Sequence, residues 1–263
     1  MRPRPRSFLV TGHPRSGTTV LTRVLNTHPD IGATFELGAF LGLGSPYTEY
    51  RHRLRLGYRE RPVVGVGTGT PRARRWASRR FVVAFRYALW RRRESPITLE
   101  VVTTILSACL RRACVGDKLP AYVFALDELA SLQGLRRIVI VRDCRAVTAS
   151  TLERVRTGWS GRSWAQRLDT PEKAAGNWLR ALESVERNAA RLHVLRYEDL
   201  VDDPSACLAS VAAYLGVEPN GFDAGLIRRR ERRAYSGALE GRDLAAVEAA
   251  AGEAMRRWGY DPA

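Results

Sequence analysis

The chain has 263 residues, 45% of them hydrophobic, so it can bury one full core without disulfide staples. Its four cysteines (Cys109, Cys114, Cys144 and Cys207) form no C-x-x-C pair and have no histidine at ligand spacing, which argues against zinc and for buried thiols in a reducing compartment. The formal net charge of +16 is uneven, because 14 arginines and the single acid Glu60 lie between Arg51 and Arg93 while the remainder is nearly balanced.

Met1 to Ser7 is basic, but the apolar run after it, Phe8 to Val10, has the length of one strand and flows into a turn, unlike a secretory signal. Val20, Leu21, Val24 and Leu25 recur with helical spacing, which makes His13 to Gly17 a strand-to-helix turn. Apolar runs at Ile31 to Phe35, Arg112 to Val115, Arg137 to Val141 and Leu192 to Leu195 read as further strands, with helical patterns between them. This alternation predicts an α/β fold, a P-loop-like three-layer α/β/α domain over residues 1–263 with a central, mainly parallel sheet. No run is long enough to span a bilayer, and a cytoplasmic location is expected.

Tyr47 to Pro96 reads as an insertion on that core. It contains the loop-like Gly57 to Pro71 and an Arg-rich amphipathic helix from about Ala73 to Trp90, with Trp76, Phe81, Phe85, Tyr87 and Trp90 mostly on one side. Its charge could serve nucleic acid, an anionic membrane surface, an acidic substrate or an acidic carrier protein, or be a solvated face. The helical placement of the aromatics argues for a packed or capping helix over a platform for bases, so nucleic acid is not expected. A helix follows from Ile97 to Leu110. Asp143 is placed to cap a helix over Arg145 to Val155, and Pro171 opens one over Glu172 to Ala190. Asp203-Pro204 starts a helix ending near Gly216. Asn220 to Arg242 is irregular and basic, and Asp243 opens a last helix that finishes near Trp258.

The turn itself carries chemistry. In FLVTGHPRSGTT, Gly12 and Gly17 let the backbone curl round an anion, Ser16, Thr18 and Thr19 add hydroxyls, and Arg15 adds a planar cationic fork at a positive helix end. The Walker pattern G-x-x-x-x-G-K-[ST] is matched at Gly12, Gly17 and Thr19 but has Thr18 where the lysine belongs, which counts against an ATPase or GTPase. The string PRSGTT resembles the 5′-phosphosulfate loop of sulfotransferases that use 3′-phosphoadenosine 5′-phosphosulfate (PAPS).

That resemblance extends along the chain. Arg142, at the carboxyl end of the strand Ile138 to Val141, and Ser150, on the next helix, resemble the family's pair for the 3′-phosphate; Arg154 lies one turn beyond Ser150. GDKLP at Gly116 to Pro120 is similar to the family's DK-x-P segment, and RYEDL at Arg196 to Leu200 to its YEDL-x-x-x-P ending of a late strand, with Tyr197 in the place of an adenosine contact. Ser236 and Gly237 fall in the place of a late loop over PAPS. Trp178 fits too, but a helix tryptophan is ordinarily core.

The resemblance implies sulfuryl transfer from PAPS to a hydroxyl or amine, leaving adenosine 3′,5′-bisphosphate and needing no metal. Arg15 and the N–H groups of Ser16 to Thr19 would hold the 5′-phosphate, and Lys118 would neutralise the bridging or sulfuryl oxygens. Glu36, directly after the second strand, stands where one branch of the family has its base; His13 and His28 are rivals. The acceptor stays open among small molecules, glycans, lipids and peptides, with Tyr47 to Pro96 and Trp159 to Asp169 as the segments that would select it. A Mg-ATP small-molecule kinase and a basic nucleic-acid-binding module are the alternatives.

Overall fold

Alternation of side chains along the central strands decides the layers. The computed structural model describes residues 4–54, 62–65, 69–227, 238, 239 and 241–260. In chain order the elements are β1 (Arg6–Thr11), α1 (Thr18–Leu25), β2 (Ile31–Phe35), α2 (Tyr47–Arg53), α3 (Pro71–Trp90), α4 (Leu99–Leu110), β3 (Cys114–Lys118), α5 (Leu126–Leu129), β4 (Leu135–Val141), α6 (Cys144–Gly158), α7 (Pro171–Asn188), β5 (His193–Arg196), α8 (Tyr197–Asp202), α9 (Pro204–Leu215) and α10 (Gly241–Arg257). The strands form one parallel sheet in the order β2-β3-β1-β4-β5.

Side chains two apart share a sheet face. Phe8, Val10, Ile138 and Ile140 meet Leu21, Leu25, Leu208 and Val211 of α1 and α9. On the opposite face Leu9 and Val115 meet Phe81 and Phe85 of α3 and Val102 and Leu106 of α4, while Val139 and Val141 meet Val147, Trp178 and Val247 of α6, α7 and α10. The sheet is thus covered on both sides, as the βα alternation predicts.

Helix starts follow from their caps. Thr70, Thr98, Asp143, Thr170 and Asp203 each accept a hydrogen bond from a first-turn N–H, and Pro71, Pro171 and Pro204 occupy positions where a missing N–H costs nothing.

Four expectations need correction. β3 lies at Cys114–Lys118, not Arg112 to Val115, because Arg111 ends α4 in a left-handed conformation (φ 56°) and Cys114 N–H is the first to pair, with Asp30 O. The polar end of that strand is buried because the Asp117 carboxylate is fully bonded there. The aromatics of α3 divide between two faces: Phe81 and Phe85 are buried, whereas Trp76, Tyr87 and Trp90 are exposed. Tyr197 to Leu200 begins a short helix instead of ending a strand, and the last helix opens at Gly241, ahead of Asp243.

The four cysteines are free thiols, Cys114 and Cys144 buried and Cys109 and Cys207 partly so. Among the described residues no helix is long and apolar enough to cross a membrane, and no three His, Cys, Asp or Glu side chains group to hold a metal.

Candidate active site

Sheet register brings the candidate residues to one edge. Val10 of β1 and Phe35 of β2 both pair with Lys118 of β3, so the chain leaves all three strands at the same height. Ligands of open α/β sheets bind beyond such carboxyl ends.

After β1 the backbone makes a tight turn. At Gly12 (φ 149°) a Cβ would stand 2.2 Å from the Ile140 carbonyl oxygen, so β4 leaves room for glycine alone. Arg15 is held at φ 77°, a strained conformation for a residue with a side chain. Gly17 (φ 97°) precedes α1 with no side-chain cap, and the first i to i−4 bond of the helix is Leu21 N–H to Gly17 O. The N–H groups of Thr18, Thr19 and Val20 therefore head the helix as an anion-binding end. Ser16 differs from expectation: its N–H donates to His13 O (3.1 Å), so it contributes a hydroxyl and not an amide. That hydroxyl is buried and has no hydrogen-bond partner among the described residues.

The second half of the site reaches the loop directly. Arg15 Nε donates to Ser150 Oγ at 2.9 Å, and Arg142 donates to Arg15 O at 3.1 Å. The Arg142 guanidinium lies 4.3 Å above the Tyr197 ring, whose edge fills the space a Cβ on Gly17 would need. Asp143 does not neutralise Arg142, because its carboxylate is taken by Arg145 at 2.7 Å. Trp178 is core, yet its indole N–H donates to Arg142 O (2.9 Å) and fixes the end of β4. Arg154 is not beside Ser150: its guanidinium lies against Gly158 in the last turn of α6, where the helix carbonyl end attracts a cation.

On the other side of the loop Lys118 Nζ pairs with Glu36 Oε1 at 2.8 Å, the lysine side chain 3% exposed and the glutamate 34%. Glu36 has φ 59° and its N–H donates to Lys118 O at 2.6 Å. The turn is made by Asp117, which falls in the GDKLP segment but was given no role from the sequence. Its buried carboxylate accepts from Thr34 Oγ1 (2.7 Å), Tyr122 OH (2.6 Å) and the N–H groups of Leu37, Gly38 and Ala39. Burial pushes the Asp117 carboxyl upward and these donors oppose it.

Over residues 7–221 the sequence matches the Sulfotransferase family. The chain belongs to the sulfotransferase family. Nodulation protein H of Rhizobium tropici is 26% identical over 250 residues, covering 90% of this chain and 86% of that protein. The sulfotransferase domain of the Synechococcus PCC 7002 olefin synthase has the same fold, with a TM-score of 0.59 at 21% identity over 98% of this chain and 96% of that one. Sulfotransferase STF9 from Mycobacterium avium gives 0.54 at 18% identity over 98% and 78%.

Within this sulfotransferase fold both rival histidines are committed. His13 Nδ1–H donates to Pro14 O (2.8 Å), and its Nε2 accepts from the Asn177 amide (2.8 Å), whose oxygen in turn accepts from Arg180. Burial lowers the His13 pKa to about 4. His28 Nε2–H donates to Glu218 O and its Nδ1 accepts from Asp30 N–H, with the ring against Phe222. Neither ring has a nitrogen left for a substrate. Ser236 and Gly237, with Arg228 to Arg233, lie outside the described residues.

Proposed function

We propose that this sulfotransferase uses PAPS as donor and Glu36 as general base, transferring a sulfuryl group to a hydroxyl or amine of a small molecule, glycan, lipid or peptide. The observation that carries this reading is that Arg142 and Ser150, the pair for a 3′-phosphate, both bond to Arg15 of the 5′-phosphate loop. Donors for the two ends of one nucleotide thus share a crevice. The fit is supported by the buried Ser16 hydroxyl, a donor in want of an acceptor, and by a loop too close to Tyr197 at Gly17 for any side chain.

Arg15, Ser16, Gly17, Thr18 and Thr19 hold the 5′-phosphate, Arg142 and Ser150 the 3′-phosphate, and Tyr197 the adenosine. Arg154, turned toward Gly158, adds only a more distant positive charge. When bound, PAPS supplies the sulfuryl group and a leaving group that is already an anion. Glu36 takes the acceptor proton as the acceptor atom forms its bond to sulfur and the old sulfur–oxygen pair stays on the phosphate. The Lys118 ammonium holds the Glu36 carboxylate in place through their ion pair, and with Arg15 places positive charge where the leaving oxygen gains it. A Mg-ATP kinase is not favoured, since Thr18 replaces the Walker lysine.

The test is formation of adenosine 3′,5′-bisphosphate from PAPS with pooled hydroxyl and amine acceptors, compared with Glu36→Gln. Acceptor-dependent product from the wild type alone supports the proposal. Equal product from both proteins contradicts Glu36 as base, and product from Mg-ATP instead contradicts the donor.

A further inference from the structure

Helix α3 has two apolar faces, and the fold covers one. Ser78, Phe81, Val82, Phe85 and Leu89 are buried, the apolar ones against Val102, Ile105 and Leu106 of α4. The opposite face carries Trp76, Val83, Tyr87 and Trp90, exposed by 61, 68, 58 and 47%. Their spacing of seven, four and three residues aligns them in one stripe along the helix axis. They make up four of the six large hydrophobic side chains exposed among the described residues, so the stripe is not ordinary surface scatter.

Arginines flank it throughout. The helix holds six arginines and no acid over Pro71–Trp90, and Arg91, Arg92 and Arg93 follow. Arg80 lies 4.7 Å over the Trp76 ring and Arg93 4.2 Å over Trp90, while Tyr87 and Trp90 stack at 6.1 Å. We propose that the outer face of α3 docks on an anionic lipid bilayer surface, with the Trp76–Trp90 stripe seated at headgroup depth and the arginines on lipid phosphates. Tryptophan and tyrosine favour that depth, a narrow apolar stripe between cations matches a helix lying in the interface, and an all-arginine charge complements anionic lipid. The inner face of α3 shares its cluster with Leu37, Ala39 and Phe40, directly after Glu36, so helix and carboxylate belong to one packed unit. This inference does not depend on the donor or the base.

The experiment is co-sedimentation of the full chain with phosphatidylcholine vesicles and with equal mixtures of phosphatidylcholine and phosphatidylglycerol, with tryptophan emission recorded. Binding only to the mixed vesicles, with a blue shift and weakening by salt, is expected. Replacing Trp76, Val83, Tyr87 and Trp90 together by Ser should weaken binding about tenfold or more, with circular dichroism unchanged. Arg75→Gln, Arg79→Gln and Arg86→Gln combined provides a second variant and should weaken it comparably. No binding to mixed vesicles, equal binding to both vesicle types, or binding unaffected by a folded variant would overturn the proposal. So would capture by polyglutamate or RNA where vesicles fail, which would assign the face to an acidic macromolecule.

Discussion

Lys118 Nζ stands 2.8 Å from Glu36 Oε1, and the two meet because Phe35 and Lys118 are register partners in adjacent parallel strands. Glu36, the first residue after β2, is thus placed by strand register together with the turn that Asp117 holds. Glu36→Gln keeps the shape and a hydrogen-bond acceptor for Lys118 but removes the proton acceptor. Turnover should fall by roughly 10² to 10⁴, with bisphosphate affinity changed by less than about tenfold, as steady-state kinetics and calorimetry would read. A turnover loss below about tenfold would remove Glu36 from the base role.

Asp117 supports that geometry from beneath. In Asp117→Asn the new amide must face one of the N–H or O–H donors, leaving buried groups unpaired. A loss of about 3 kcal/mol or more is expected in urea denaturation, against about 1–2 kcal/mol for Tyr122→Phe. If Asp117→Asn is as stable as the wild type, the carboxylate does not organise the turn after β2.

The loop was legible in the sequence because its signals are local: an apolar run, two glycines, hydroxyls, then helical spacing. The positions of Arg142 and Ser150 at a strand end and on the next helix were legible for the same reason, while their pairing came from the family resemblance and their contacts with Arg15 were not foreseen. The role of Asp117 within GDKLP was not legible, since its partners Thr34 and Leu37 to Ala39 lie some 80 residues away. The misplaced start of β3 has the same origin: Gly116, Asp117 and Lys118 look like a turn until the partners that satisfy them are known. Arg154 shares a helical face with Ser150, but spacing does not say which way a long side chain lies along that face.

His13 makes stability depend on acid. The folded ring stays neutral down to about pH 4, whereas the unfolded ring takes up a proton near 6.5. Stability is therefore lost as pH falls through that window, by about 3 kcal/mol in all. Burial raises the Asp117 and Glu198 carboxyls, which act in the opposite sense, so the comparison with His13→Asn isolates the ring. Denaturation midpoints between pH 4 and 6.5 should slope less in the variant; parallel slopes would mean that the folded ring titrates normally.

Gly17→Ala would drive a methyl group to within 2.4 Å of Tyr197 Cδ2 at a φ of 97°. The ring must then shift off Arg142. Bisphosphate affinity is expected to fall by about tenfold or more while urea stability changes little beyond the local strain. Unchanged affinity would separate Tyr197 from the nucleotide.

The most direct measurement is calorimetric titration of adenosine 3′,5′-bisphosphate beside ADP and Mg-ATP, on the wild type and on Arg142→Ala. Bisphosphate binding about tenfold or more tighter than either rival, with that preference lost in the variant, is predicted if Arg142 and Ser150 take the 3′-phosphate and the Arg15 loop the 5′-phosphate, as proposed. Equal or tighter binding of Mg-ATP, or a preference that survives without Arg142, would contradict it.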